Sequence, residues 1–141
     1  MVPVVDWAWA LNYFMQMRLS LSERHALLQT AHAAAERTGS SRGQANTLQA
    51  LGDLSLREDE LSAARTYYER ALLMGKQIGD LTSQLNSLYR LSQIEHTQGD
   101  QTAACAYARD LLALAESHPF FKTHPVVAEW RKEFASWGCS S

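Results

Sequence analysis

The chain resembles itself at an offset of 40 residues. Leu11, Leu51 and Leu91 fall in register, and so do Gly39 and Gly79. Further identities between the second and third units are Gln44/Gln84, Asn46/Asn86, Leu48/Leu88, Ala63/Ala103, Ala64/Ala104, Tyr67/Tyr107 and Leu72/Leu112. Self-similarity at such a period is typical of stacked repeat units, none of which buries its apolar face alone. The repeat therefore predicts a solenoid, whose usual role is to present an elongated surface to another molecule.

Composition limits the classes of partner. The chain has 141 residues, which suits one domain over residues 1–141, and it is 46% apolar and 20% charged. Its net charge of −2 offers no footprint for a nucleic acid and gives no reason to expect an anionic membrane surface. No stretch reaches the roughly 18 apolar residues of a spanning helix. We expect a cytoplasmic protein.

The two cysteines, Cys105 and Cys139, lie in the middle of a predicted helix and in the C-terminal tail. This placement favours reduced thiols over a disulfide framework. Cys105 is expected to pack as a small apolar residue, and Cys139 to be an accessible thiol able to cross-link two molecules.

Stop and cap signals divide the chain into seven predicted helices. Ser20 with Glu23 forms a capping box, and Gly39 and Gly79 are suited to left-handed C-terminal positions. Asp59 or Glu60 is expected to cap the fourth helix, and Thr123 the seventh. Gly99-Asp100 is expected to end the fifth helix and begin the sixth. The helices are predicted at about 5–19, 20–39, 41–57, 60–78, 81–97, 100–117 and 124–137.

Apolar residues follow steps of three and four, as at Leu48, Leu51 and Leu54, which indicates helices and not strands. Connections of two to four residues force neighbouring helices to run antiparallel. The fold prediction is an all-α, right-handed α-solenoid of three helical hairpins, at about 1–40, 41–80 and 81–120. A capping helix at about 123–137 covers the last face with Val127, Trp130, Phe134 and Trp137.

The second unit carries a recognisable pattern: Leu48 and Leu51-Gly52, then Ala64, Tyr68 and Ala71. It resembles the tetratricopeptide repeat, in which small residues let helices approach and an aromatic ring fills the space between them. The third unit matches in part, because its aromatic residue is Tyr107 and Leu111 replaces the last Ala, and the first unit matches weakly.

The period of 40 residues exceeds the 34 usual in this family. The chain is similar to the long-helix variant found in scaffold proteins and in the sensor regions of bacterial signalling ATPases and transcription regulators.

The resemblance implies that the first helix of each hairpin lines a concave, partner-binding face. Amides there can bond a peptide backbone, tyrosines can clamp side chains, and Arg90 can pair with a carboxylate. An ordinary solvated face is the competing interpretation. The positions that the register assigns to this face are Trp9, Tyr13, Met17, Asn46, Gln49, Asp53, Arg57, Asn86, Tyr89, Arg90 and Gln93.

The chaperone-binding specialisation of the family is excluded. Its carboxylate clamp needs a Lys, two Asn and two basic residues, and only Arg90 fits among Trp9, Tyr13, Ala50, Asn86 and Arg90.

The first predicted helix is apolar on more than one side, through Trp7, Trp9, Phe14 and Met15. Such a helix favours cover on both faces. One interpretation is homo-oligomerisation or contact with another protein through these residues. The other is that they pack on the second and third helices.

Nothing in the sequence specifies an enzyme. The histidines are scattered, His32 and Glu36 are expected to form a surface pair, and Cys105 has no neighbouring His. Single glycines form no phosphate cradle. We predict no metal, no cofactor and no catalytic residue.

The sequence therefore predicts a protein–protein interaction module that binds a peptide or helix of a partner on its concave face. The alternative is a sensor or oligomerisation segment of a larger signalling ATPase or transcription regulator.

Overall fold

The structure is a computed structural model and is described for residues 20–139. Within this range every regular element is helical, which confirms the all-α prediction, while the helix predicted at about 5–19 lies outside it. The helices are α1 (Leu21–Thr38), α2 (Ser41–Arg57), α3 (Leu61–Ile78), α4 (Leu81–Thr97), α5 (Gln101–Glu116), α6 (Pro119–Lys122) and α7 (Pro125–Ser136).

Most helix ends form as their sequence signals predict. The Ser20 hydroxyl accepts a hydrogen bond from the Glu23 backbone N–H at 3.2 Å. Gly39 ends α1 at φ 70° and Gly79 ends α3 at φ 68°, the left-handed region that a residue without Cβ adopts readily. Asp100 caps α5 by accepting from the Ala103 N–H at 3.0 Å.

Two predictions about helix ends are corrected, and one short helix is added. Glu60 occupies the N-cap position of α3 without a side-chain hydrogen bond, and Asp59 adopts φ 60°, so neither caps through its carboxylate. His124, not Thr123, caps α7, because its ring accepts from the Val126 N–H at 3.1 Å. The short helix α6 was not predicted; its N-terminal Pro119 has the fixed φ that suits a first helical turn.

The described residues fall into two compact units, divided between Gln84 and Leu85 within α4. In unit 1, α1 and α2 run antiparallel: His32 contacts Thr47 near one end, and His25 contacts Glu58 near the other. Their core is the cluster of Leu28, Leu51 and Leu54.

Close packing in unit 1 depends on small residues, as the repeat pattern predicts. The ring of Tyr68 on α3 is fully buried and lies against Gly52 on α2. Ala64 and Ala71, on the same face of α3, are also fully buried. A larger side chain at these positions would hold the two helices apart.

In unit 2, α7 contacts both α4 and α5. It runs antiparallel to α5, because Glu116 pairs with Arg131 while Gln101 bonds the backbone oxygen of Trp137. It runs parallel to α4, where Tyr89 meets Trp130 and His96 stacks on Trp137. Buried Val127 and Phe134 share this packed side with the two tryptophans, so the four residues predicted to face the preceding helices all do so.

The prediction of reduced thiols is wrong. Cys105 and Cys139 form a disulfide, with their Cα atoms 5.3 Å apart. Cys105 lies early in α5 and Cys139 follows α7; because the two helices are antiparallel, these ends meet. Cys139 is therefore not available to cross-link two molecules.

Of the helices described here, none combines the length and apolar character needed to cross a membrane.

Candidate functional site

The predicted binding residues of α2 form a polar stripe along that helix. Asn46 and Gln49 are half-buried, whereas Asp53 and Arg57 are exposed. The Gln49 amide donates to the Ser83 hydroxyl at 2.6 Å and to its backbone oxygen at 3.2 Å. The Tyr68 hydroxyl donates to Asp53 Oδ1. Part of this stripe therefore holds neighbouring helices together.

The predicted residues of α4 are half-buried and form a second stripe: Asn86, Tyr89, Arg90 and Gln93. Within unit 2, Glu133 of α7 accepts from the Tyr89 hydroxyl at 2.8 Å and from the Gln93 amide at 3.5 Å. Arg90 in turn donates to the Gln93 side-chain oxygen at 3.4 Å. A single carboxylate on α7 thus orients two of the four side chains.

The environment of Tyr89 shifts its titration. Burial, the hydrogen bond to Glu133 and the charge of that carboxylate raise the pKa of Tyr89 to about 12. Each of the three favours the neutral phenol, because a phenolate would be desolvated and would face a negative charge.

The remaining predicted residues lie outside the described part of the chain. These are Trp9, Tyr13 and Met17 of the concave face and Trp7, Trp9, Phe14 and Met15 of the self-association prediction.

His32 lies 3.6 Å from Glu36, as the predicted pair requires, but its ring is buried and not at the surface. The Thr47 hydroxyl donates to the Gly43 carbonyl at 2.9 Å, so its oxygen accepts from His32 Nδ1–H, also at 2.9 Å. The other ring nitrogen, Nε2, accepts from the Arg70 guanidinium at 3.3 Å and lies 3.6 Å from Glu36. His32 is thus a neutral imidazole that joins α1, α2 and α3.

Burial lowers the pKa of His32 below 6.5; the Glu36 carboxylate opposes this shift and the Arg70 guanidinium adds to it. The neutral ring matches its partners, since one nitrogen must donate and the other must accept. No group of three His, Cys, Asp or Glu side chains placed to hold a metal occurs in residues 20–139.

Helix α3 packs over the groove between α1 and α2, and a cavity of about 520 Å³ remains beside it, lined by Leu21, Ser22, His25, Ala26, Gln29 and Glu58. Tyr67 packs against the cluster of Leu28, Leu51 and Leu54, and its ring centroid lies 6.3 Å from that of His25. One turn further along α3, Arg70 bonds His32. This helix supplies one aromatic ring and one cation to the groove.

Unit 2 has a groove between α5 and α7 with a volume of about 470 Å³. Its lining lies 80 residues beyond the α1–α2 groove: Ala108 corresponds to Leu28, Leu112 to His32, Arg131 to Leu51 and Phe134 to Leu54. The disulfide lies close to the position equivalent to the contact of His25 with Glu58, since Cys105 lies 80 residues after His25 and Cys139 lies 81 after Glu58.

The floor of the α5–α7 groove is apolar, and its rim is formed by Arg109, Glu116, Arg131 and Cys139. Sequence reasoning missed this groove, although the repeat could have indicated it if extended by two periods.

No protein-family model matches the chain, and no curated protein sequence matches it significantly. The resemblance to tetratricopeptide repeats therefore stays a prediction from the residues quoted above.

Proposed function

We propose that the protein is a non-enzymatic interaction module that binds a peptide or helix of a partner protein through the polar stripes of α2 and α4. In this proposal the hairpins stack as a right-handed solenoid of the tetratricopeptide type, with α7 as the cap and residues 1–141 as one domain. Such an array serves as a scaffold or a signalling component.

One observation carries the proposal. The amide-bearing positions Asn46 and Asn86, 40 residues apart, are both half-buried and lie beside residues already fixed by neighbouring helices. Gln49 is held by Ser83, and Tyr89 is held by Glu133. Side chains fixed in this way lose little conformational entropy when they bind a ligand, which favours recognition of an extended backbone or a helix.

The test selects peptides from a random phage-displayed library with the full-length chain and measures their affinities. Replacing Asn86 and Arg90 together with Ala should weaken binding by tenfold or more, because an amide and a cation are lost. The matched control replaces Gln77 and Lys76, an exposed amide and an exposed cation on α3, and should leave affinity within about twofold. Equal affinity of the two double variants, with helicity unchanged, would remove the α4 stripe from the binding site.

A second candidate is a sensor or oligomerisation segment of a larger signalling ATPase or transcription regulator. The feature that favours it is the cluster of Trp7, Trp9, Phe14 and Met15 in the sequence. Sedimentation of the chain separates the candidates: association that rises with concentration, and is abolished by Trp7→Ser with Phe14→Ser, supports the second.

The cytoplasmic location meets one difficulty. Disulfides persist in oxidising compartments and are rare in the reducing cytosol. The pairing of Cys105 with Cys139 therefore weighs against a permanently reducing location.

A further inference from the structure

We propose that the groove between α5 and α7 is a second docking surface, which takes an amphipathic α-helix of a partner protein with an aromatic anchor and an acidic side chain. This surface is separate from the polar stripes of α2 and α4. It does not depend on the function proposed for them.

The first support is the precedent inside the molecule. In unit 1 the equivalent groove between α1 and α2 is occupied by a helix, and Tyr67 supplies the ring that covers Leu28 and Leu54. In unit 2 the corresponding positions are Ala108 and Phe134, and the space between α5 and α7 is open among the described residues. Because the pairs α1–α2 and α5–α7 form grooves at equivalent positions of the repeat, we expect both grooves to accept a helix.

The second support is the shape of the floor. Ala108 replaces Leu28, which leaves room for a large side chain, while Leu112 and Phe134 supply apolar walls. Ala113 and Ala135 are exposed and small on opposite sides of the opening, so a helix backbone can approach. An aromatic ring suits this space because it buries a large apolar area, and aromatic anchors in apolar pockets contribute much of the energy of an interface.

The third support is charge. At the α1–α2 groove, Arg70 of α3 bonds His32, which lies 3.6 Å from Glu36. The α5–α7 groove keeps an acid at the position of Glu36, as Glu116, but it has Arg109 in place of Gln29 and Arg131 in place of Leu51. Because Arg131 pairs with Glu116, the exposed guanidinium of Arg109 leaves this rim positive. The occupant should therefore carry an acidic residue where α3 carries Arg70.

The fourth feature restricts the occupant further. Lys132 stands where α2 has Gly52, the residue that admits the ring of Tyr68. The partner helix needs a small residue at the position equivalent to Tyr68. Its sequence thus reads aromatic, small, then acidic two residues later.

The probe is a synthetic peptide with the sequence of α3, residues 61–78, carrying Tyr68→Ala and Arg70→Glu and a fluorescent label. It is titrated with the oxidised full-length chain by fluorescence anisotropy. We expect saturable binding, and about tenfold weaker binding when Arg70 is restored in the peptide or when its Tyr67 is changed to Ala.

The paired protein variants are Ala135→Trp and Asp110→Trp. Both positions are exposed, Ala135 on α7 and Asp110 on α5, but only Ala135 lines the groove. Ala135→Trp should weaken peptide binding by about tenfold or more by filling the opening, and Asp110→Trp should leave it within about twofold.

Three results would overturn the proposal. One is the absence of saturable binding by the peptide to the wild-type chain. Another is equal affinity of the two tryptophan variants, which would put the peptide elsewhere, such as in place of α3 itself. The third is self-association of the chain that Ala135→Trp abolishes, because the occupant would then be a second copy. The polar-stripe double variant, Asn86→Ala with Arg90→Ala, should still bind this peptide, so failure of one proposal is distinguishable from failure of the other.

Discussion

Gly52 of α2 lies directly against the Tyr68 ring of α3: a Cβ built on Gly52 would lie 2.8 Å from Cζ of that ring. The ring is fully buried, so it has no room to move away. The small residue of one helix and the aromatic residue of the next are thus a single packing unit, separated by 16 positions in the chain.

Gly52→Ala should destabilise the protein despite the better helix propensity of Ala. Overpacking against a buried ring costs about 1–3 kcal/mol, while the propensity gain is about 1 kcal/mol. The matched control is Gly75→Ala, also inside a helix, where a Cβ would meet Ser83 and Gln84 side-chain atoms at 3.2 Å. Urea unfolding should place Gly52→Ala about 1–3 kcal/mol below Gly75→Ala; equal stability would contradict the close packing.

His32 should make stability depend on pH. Its pKa is lowered by burial, so the unfolded chain binds more protons than the folded one between the folded-state pKa and 6.5. The stabilisation is therefore present above pH 6.5 and is lost as pH falls through 6.5 and the folded-state pKa. His32→Leu removes the titrating group and copies the residue found 80 positions later, Leu112.

The measurement is the free energy of unfolding of wild type and His32→Leu from pH 7.5 to 5. The wild type should lose more stability than the variant on acidification, because all other groups are shared. Parallel curves would mean that His32 is not buried as a neutral ring.

The disulfide should stabilise unit 2. It closes a separation of 34 residues between Cys105 and Cys139, for which the chain-entropy relation gives about 4 kcal/mol. Replacing both cysteines with Ala should therefore raise hydrogen exchange in α7 and in the start of α5. The amides of α1 and α2, whose core is Leu28, Leu51 and Leu54, are the internal control and should exchange at the wild-type rate.

Tyr89 should titrate late, with its pKa at about 12, because of burial and Glu133. Glu133→Gln keeps a hydrogen-bond acceptor and removes the charge, so the pKa should move back toward 10.0. Since the folded-state pKa is raised, the stabilisation is complete below pH 10 and is lost as pH rises through about 12. The pKa of Tyr89 is assigned by following phenolate absorbance against pH in the wild type, Tyr89→Phe and Glu133→Gln. An unchanged pKa in Glu133→Gln would show that the Tyr89 hydroxyl does not interact with Glu133 of α7.

Local signals predicted local structure well. Ser20, Gly39, Gly79 and Asp100 mark helix ends because each satisfies backbone groups within a few residues of itself. The burial of Tyr68 also followed from the repeat pattern, since the pattern encodes which face meets the next helix.

Pairings between distant residues were not predictable in the same way. In the hydrogen bonds of Tyr89 with Glu133 and of His32 with Arg70, the partners are 38 or more residues apart in the chain. These bonds depend on how far each helix is shifted along its neighbour, which local sequence patterns do not specify. The disulfide was missed because Cys139 lies beyond the last helix, where the three- and four-residue steps of a helix no longer assign a face. To predict the α5–α7 groove, one has to compare residues 80 positions apart and also to know that α3 packs over the equivalent α1–α2 groove.

The most direct test of the fold is a set of nuclear Overhauser contacts from the methyl groups of Leu28 and Leu54 and from the ring of Phe134. If each unit closes its own core from helices consecutive in the chain, the two leucines contact Tyr67 and Phe134 contacts Tyr89. Contacts of Leu28 with Phe134 in place of these, as in one closed bundle around a shared centre, would contradict the stacked hairpins proposed above.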